Sequence, residues 1–154
     1  MQRASAFDCA LRVLALRDHS EAELRRKLKA KGYDEPEITG SVARLLELGY
    51  LDDVRFALSF AESSIRNGRG YGARLKLELA RRGVAGAIVQ ATLAELSEDF
   101  EESGVLASTI ERRYPGFDPA IATDKEKRRI VAYLQRKGFT LGAILAALKT
   151  QSIY

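Results

Sequence analysis

The chain has 154 residues, 46% of them hydrophobic and 30% charged, and 25 Lys and Arg against 21 Asp and Glu give a net charge of +4. The lone Cys9 excludes an internal disulfide and a cysteine metal cluster. No signal sequence and no apolar run of about 18 residues is present. We therefore expect a soluble, cytoplasmic, monomeric protein that needs neither a membrane nor a cofactor.

The first 50 residues predict three helices. Apolar residues recur with helical spacing from about Ala4 to Arg17. Ser20 followed by Glu23 is the pattern of a capping box for a second helix, which ends at Gly32. Asp34 is placed to cap a third helix, which runs to Leu48.

The second stretch opens with two carboxylates. Asp52 and Asp53 are better helix caps than metal ligands, because no further acidic residue lies close enough in sequence to complete an oxygen shell. A glycine-rich segment, residues 67–72, precedes a basic helix that ends at Gly83. The part from Gly68 to Gly72 is either a hinge or a surface loop, and the loop is favoured.

The last third repeats the arrangement. A helix from about Glu101 to Tyr114 stops before a Pro-Gly pair, and Thr123 with Glu126 forms another capping box. The helix that follows ends at Gly138, and a final helix runs from Thr140 to about Lys149. No alternating pattern of strand length competes, so the chain is predicted to be all-α.

Three glycines, Gly32, Gly83 and Gly138, bring these segments into register. Apolar residues stand eight and four positions before each one, on a single helix face: Leu24, Leu28, Leu75, Leu79, Ile130 and Leu134. A glycine directly after the helix can adopt the left-handed conformation that ends it. A period of about 50 residues predicts tandem three-helix modules at 1-50, 51-97 and 98-154, which form an elongated, curved molecule.

Basic residues concentrate on the helix before each glycine. Residues 25–31, 66–82 and 125–137 together hold seventeen of the 25 cations, whereas the segment between Arg82 and Arg112 has acidic residues only among its charges. Charged outer faces are common on helices, but three equivalent basic helices on a repeat favour an elongated polyanion or an acidic assembly as partner. The predicted contact residues are Arg25, Arg26, Lys29, Lys31, Arg66, Arg69, Arg74, Lys76, Arg81, Arg82, Lys127, Arg128, Arg136 and Lys137.

Residues for catalysis are scarce. A nucleophile, a base and an orienting group are needed together, and the chain has one His and one Cys. His19 is interpreted as a turn residue beside the Ser20 cap, and Cys9 as a small buried hydrophobe. Gly68, Gly70 and Gly72 are not followed by the Gly-Lys-Ser/Thr of a phosphate loop. We therefore expect no enzyme activity, no cofactor and no metal site.

One motif is more specific than the repeat, the segment Gly49-Tyr50-Leu51-Asp52-Asp53. The residues that carry a resemblance to a family are Ala22, Glu23, Leu24, Arg25, Lys27, Leu28, Gly32, Arg55, Phe56, Ala57, Gly70, Glu78, Leu79, Gly83, Val84, Arg128, Leu134, Arg136, Gly138 and Phe139. With that segment, the chain resembles the bacterial RecX family over nearly its whole length. The resemblance implies a non-enzymatic modulator that binds the RecA-DNA filament and restrains its recombinase, ATPase and coprotease activities, in DNA repair and the SOS response.

Two other functions remain open at this stage. A pair of helices at a glycine turn is similar to a helix-turn-helix unit, so the chain could bind single- or double-stranded DNA directly. It could also be a helical adaptor for an unrelated acidic protein. The residues alone do not separate capping of a filament end from binding in its groove.

Overall fold

The computed structural model describes residues 3–150, without the side chain of Thr150. Over that range the chain forms nine α-helices and no strand. They are α1 (Ala6–Leu16), α2 (Glu21–Ala30), α3 (Glu35–Glu47), α4 (Asp53–Arg66), α5 (Gly72–Arg81), α6 (Gly86–Asp99), α7 (Glu102–Arg113), α8 (Asp124–Arg136) and α9 (Leu141–Thr150). The predicted all-α fold of tandem three-helix modules is confirmed. None of the described helices is long and apolar enough to span a bilayer.

The predicted caps begin the helices. Ser20 and Thr123 each complete a capping box, in which the hydroxyl accepts the amide of the third residue and that residue's carboxylate accepts the cap amide. Ser5 caps α1, so this helix begins at Ala6, two residues after its expected start. Asp52 caps α4 by accepting the amides of Val54 and Arg55 at 3.0 and 3.1 Å.

Each module has its own hydrophobic core. The apolar positions before the glycines, from Leu24 to Leu134, are all buried, as the repeat pattern predicted. In module 1 they pack with Ala10, Val42 and Leu45, and in module 3 with Leu106, Phe139 and Ile144. Burial of such apolar side chains is the main favourable term in the stability of each module. Helix α6 continues to Asp99, beyond the expected end of module 2 at residue 97.

The burial of two residues, Cys9 and His19, adds to what the sequence predicted. Cys9 is half-buried and packs at the edge of the module 1 core, so its interpretation as a small buried hydrophobe is confirmed only in part. The reason is that Ala6, Ala10 and Val13 form the inward face of α1 and leave Cys9 beside it. His19 lies between α1 and α2, as expected for a turn residue, but only 1% of it is exposed.

The modules contact one another through a repeated junction. At each of the three glycine turns, the carbonyl of the preceding basic residue accepts a hydrogen bond from earlier in the chain. Arg82 O accepts the Ser20 hydroxyl at 2.6 Å, and Lys137 O accepts the Tyr71 amide at 2.8 Å. In module 1, Lys31 O accepts the Arg3 guanidinium. The start of one basic helix therefore meets the end of the next.

Candidate functional site

Helices α2, α5 and α8 are the basic helices of the repeat, and their ends meet in order. The amino end of α2 contacts the carboxyl end of α5 through Ser20, and also through Arg26, whose guanidinium donates to Arg81 O at 3.3 Å. The amino end of α5 contacts the carboxyl end of α8 through Tyr71, whose ring stacks on Phe139 with centroids 5.4 Å apart. We call this series of connected helices, α2, α5 and α8, the basic row.

Glycine permits these close approaches. Gly83 and Gly138 have φ of +78° and +102°, and a Cβ at either position would collide with the module before it. At Gly83 the collision would be with Ala22, and at Gly138 with the backbone of Tyr71 and Arg74. Each glycine thus ends its helix and admits the neighbouring one.

The cations of the basic row fall into two groups. The first group is exposed, and within residues 3–150 its side chains make no ion pair, hydrogen bond or ring contact; from the predicted contact set it contains Lys29, Lys31, Arg69, Lys76, Arg128 and Arg136. Each module contributes two of them. Lys27, Lys125 and Arg129 are likewise exposed and unpaired in that range, although they were not in the predicted set.

The second group is engaged inside the chain. Glu78 binds three guanidiniums: Arg74 at 2.9 Å, Arg82 at 3.0 Å and Arg81 at 3.8 Å. Its single carboxylate therefore offsets much of the positive charge of α5. Arg82 also lies over the ring of Phe60, 4.2 Å from its centroid.

The other engaged cations have local partners. Arg25 pairs with Glu21 and Arg66 with Glu62, each one helical turn away, at 3.3 and 2.9 Å. Lys137 lies over the Tyr133 ring, and Lys127 is half-buried. These partners reduce the charge that the residues offer to a ligand, so the exposed group is the stronger candidate for contact.

Two acidic groups at the junction of modules 1 and 2 have altered pKa values. Burial raises the pKa of Asp53, although the carboxylate accepts the Glu21 amide at 2.8 Å, which acts in the opposite direction. Burial would also raise the pKa of Glu23, but its hydrogen bond from the Ser20 amide and its contact with Arg17 lower it overall. Asp53 thus joins two modules, a role that only the tertiary contact reveals.

The glycine-rich segment is fixed at one end. Tyr71 donates its hydroxyl to Phe100 O at 2.7 Å in addition to its amide bond with Lys137 O. Gly70 is buried, and a Cβ there would lie 3.0 Å from the Arg74 side chain. These contacts favour a structured connection at the boundary with module 3.

The described surface offers grooves between helices and no clustered metal ligands. Among residues 3–150, no group of three or more His, Cys, Asp or Glu residues is arranged to hold a metal ion. Two grooves run between helices, one of about 590 Å³ between α8 and α9 and one of about 630 Å³ between α5 and α6.

Comparison with known proteins agrees with this architecture module by module. The chain matches the first, second and third three-helix domains of RecX over residues 6–45, 52–93 and 101–148. The chain belongs to the RecX family. The predicted membership is confirmed, and the three matches coincide with α1 to α3, α4 to α6 and α7 to α9.

Relatives and solved structures extend the match to most of the chain. The Regulatory protein RecX of Trichlorobacter lovleyi is 39% identical over 90% of each chain, and that of Syntrophotalea carbinolica is 35% identical over 89% of this chain and 90% of its own. A crystal structure of RecX from Lactobacillus salivarius is similar with a TM-score of 0.73 at 21% identity, covering 95% of this chain and 94% of its own. Another crystal structure of regulatory protein RecX has the same TM-score at 18% identity, covering 94% and 70%. These structures show the common fold.

Proposed function

We propose that this RecX-family chain binds the RecA-DNA filament along its basic row and restrains the recombinase, ATPase and coprotease activities of that filament. The observation that carries the proposal is the exposed, unpaired group of cations, two from each module. Helices of 10, 10 and 13 residues amount to on the order of 50 Å of basic row. A surface of this length can meet several units of a repeating, negatively charged partner.

The relatives support a regulatory role over a catalytic one, because both are named Regulatory protein RecX. A filament on chromosomal DNA would place the protein in the cytoplasm, where it would act as a monomer. The proposed contact set keeps all fourteen predicted cations. Its exposed members are expected to contribute most of the affinity, because ion pairs already satisfy several of the others.

The test is equilibrium binding of fluorescently labelled protein to two forms of the same single strand, bare and coated with RecA and a non-hydrolysed nucleotide. A salt series separates charge neutralisation from other contacts. Tighter binding to the coated strand, with reduced RecA ATPase activity at matching concentrations, is the expected result. Equal or tighter binding to the bare strand would contradict filament recognition.

Direct DNA binding is the second candidate, favoured by the same exposed cations and by the glycine turn between paired helices. It requires that log affinity for bare DNA fall by roughly 0.7 to 0.9 per phosphate contact for each unit of log salt. A steep slope on bare DNA, with no gain from the RecA coat, would support this candidate over the first.

A further inference from the structure

A groove between α8 and α9 lies where the edge of the module 3 core meets the basic row. Its floor contains Val131, Ala132, Leu145 and Leu148, and its volume is about 590 Å³. Leu148 is 8% exposed, but Leu145 is 44% exposed although it is a large apolar residue. The groove thus presents apolar surface at the edge of a strongly basic helix.

The internal repeat shows what is unusual about this groove. The positions seven before and seven after the glycine hold Arg25 and Thr39 in module 1, and the Arg25 Nη1 reaches the Thr39 Oγ1 across the helices at 3.5 Å. Module 3 places Val131 and Leu145 at the same positions. In module 1 a polar bridge crosses between the second and third helices, whereas in module 3 two apolar side chains leave the space open.

Module 2 is intermediate. Its corresponding positions hold Lys76 and Gln90, and both side chains line the groove between α5 and α6. At these two positions that groove therefore presents a cation and an amide in place of the module 3 apolar pair. Module 3 is therefore the module in which the facing pair is apolar on both helices.

The rim of the module 3 groove has a net positive charge. Lys127, Arg128 and Lys149 line it, against the single carboxylate of Asp124. An apolar floor beneath a cationic rim is complementary to a segment that carries a large apolar side chain between carboxylates. A phosphate backbone would satisfy the rim but leave the floor without a partner.

We infer that the groove between α8 and α9 binds an acidic protein segment that inserts one large apolar side chain between Val131 and Leu145. The inference rests on the proposed function, since it assigns this groove to the protein component of the filament. The rest of the basic row would contribute to binding through its positive charge. Module 3 would thereby distinguish a protein-coated strand from a bare one.

The decisive variant transfers the module 1 pair into module 3. Val131→Arg with Leu145→Thr places a guanidinium and a hydroxyl across the groove and adds one positive charge. Loss of apolar burial should weaken binding to the RecA-coated strand by about tenfold, while binding to the bare strand stays equal or rises. If binding depended on charge alone, the double variant would bind both strands as tightly as the wild-type chain or more tightly.

Two further variants complete the experiment. Leu145→Lys changes a partly exposed side chain, so it should preserve the fold if the double variant does not, and it too should weaken only coated-strand binding. Leu46→Lys makes the same exchange at an equally exposed leucine on α3, outside the contact set, and should leave both affinities within about twofold. Melting curves should show that each variant is folded.

Each failure has a separate signature. If the wild-type chain does not prefer the coated strand, both the proposed function and this inference are overturned. If it does prefer the coated strand and both groove variants keep that preference, the groove inference alone is overturned. A wild-type dimer that Leu145→Lys converts to a monomer would assign the groove to a second copy of the chain and also overturn the inference.

Discussion

His19 shows how much one buried side chain can depend on its protonation state. Its Nδ1 donates to Arg17 O at 2.9 Å, and its Nε2 is buried without a hydrogen-bond partner. A proton on Nε2 would place a cation where no acceptor receives it. Burial accordingly lowers the pKa of His19 below its usual 6.5.

We expect this residue to make the protein less stable in mildly acidic solution. Below pH 6.5 the unfolded chain binds a proton at His19 before the folded chain does, so the free energy of unfolding decreases as the pH falls. Thermal melting between about pH 7.5 and about pH 5.5 should show this decrease. Because His19 is the only histidine, the His19→Asn variant should lose most of that dependence; a wild-type slope retained in the variant would contradict the assignment.

Glu78 is the second residue whose effect can be isolated. Glu78→Gln removes the carboxylate that binds Arg74, Arg81 and Arg82, so these guanidiniums become available to phosphates. Bare single-stranded DNA should bind more tightly, with a salt slope steeper by roughly 0.7 for each added phosphate contact. Glu62→Gln, which releases only Arg66, is the matched control and should have the smaller effect. Equal salt slopes in the two variants would show that Glu78 does not reduce the positive charge available to DNA.

At the scale of the helices, glycine has two physical roles in the turns: it ends a helix, and it makes room for the neighbouring module. Gly32 and Gly83 share a left-handed conformation, with φ of +92° and +78°. Around Gly32 the nearest obstacle to a Cβ is the flexible Arg3 side chain at 3.4 Å, whereas at Gly83 it is Ala22 of the preceding module. The left-handed backbone conformation alone therefore explains why Gly32 is a glycine. At Gly83 the close contact between modules is a second reason.

Alanine substitutions should reveal this difference. Gly32→Ala should cost about 1 kcal/mol from backbone strain, and Gly83→Ala about 1 to 3 kcal/mol more because of the overlap with Ala22. Chemical denaturation of both variants measures the difference. Adding Ala22→Gly removes the obstructing Cβ and should recover part of the loss in the Gly83 variant but none in the Gly32 variant. Equal losses in all backgrounds would show that the junction tolerates the extra carbon.

At the scale of the whole molecule, the basic row predicts that all three modules contribute to binding. Charge reversal to Glu in pairs, at Lys29 with Lys31, Arg69 with Lys76, or Arg128 with Arg136, should weaken filament binding in every case. Helicity and melting should be nearly unchanged because the side chains are exposed and unpaired within residues 3–150. Normal binding by all three variants would contradict the row as the contact surface.

The repeat and the helix caps could be predicted because they depend on local chemistry. The Ser20 and Thr123 capping boxes join residues three positions apart, and the apolar positions before each glycine follow from the helical period. The candidate site was predictable only as a set of cations. Which of them are free depends on partners such as Glu78, and the fourteen-residue contact set itself stays a prediction.

The sequence by itself determined the helical modules, their glycine turns, the basic character of one helix in each and the family. Only the tertiary structure decided that Ser20 bonds to Arg82 O, that Tyr71 meets the end of α8, and that Val131 and Leu145 face an open groove. Capping and periodicity act within a few residues, so they can be read along the chain. Junctions and grooves arise where residues as many as 66 positions apart are brought together, and their geometry depends on how the packed helices fit.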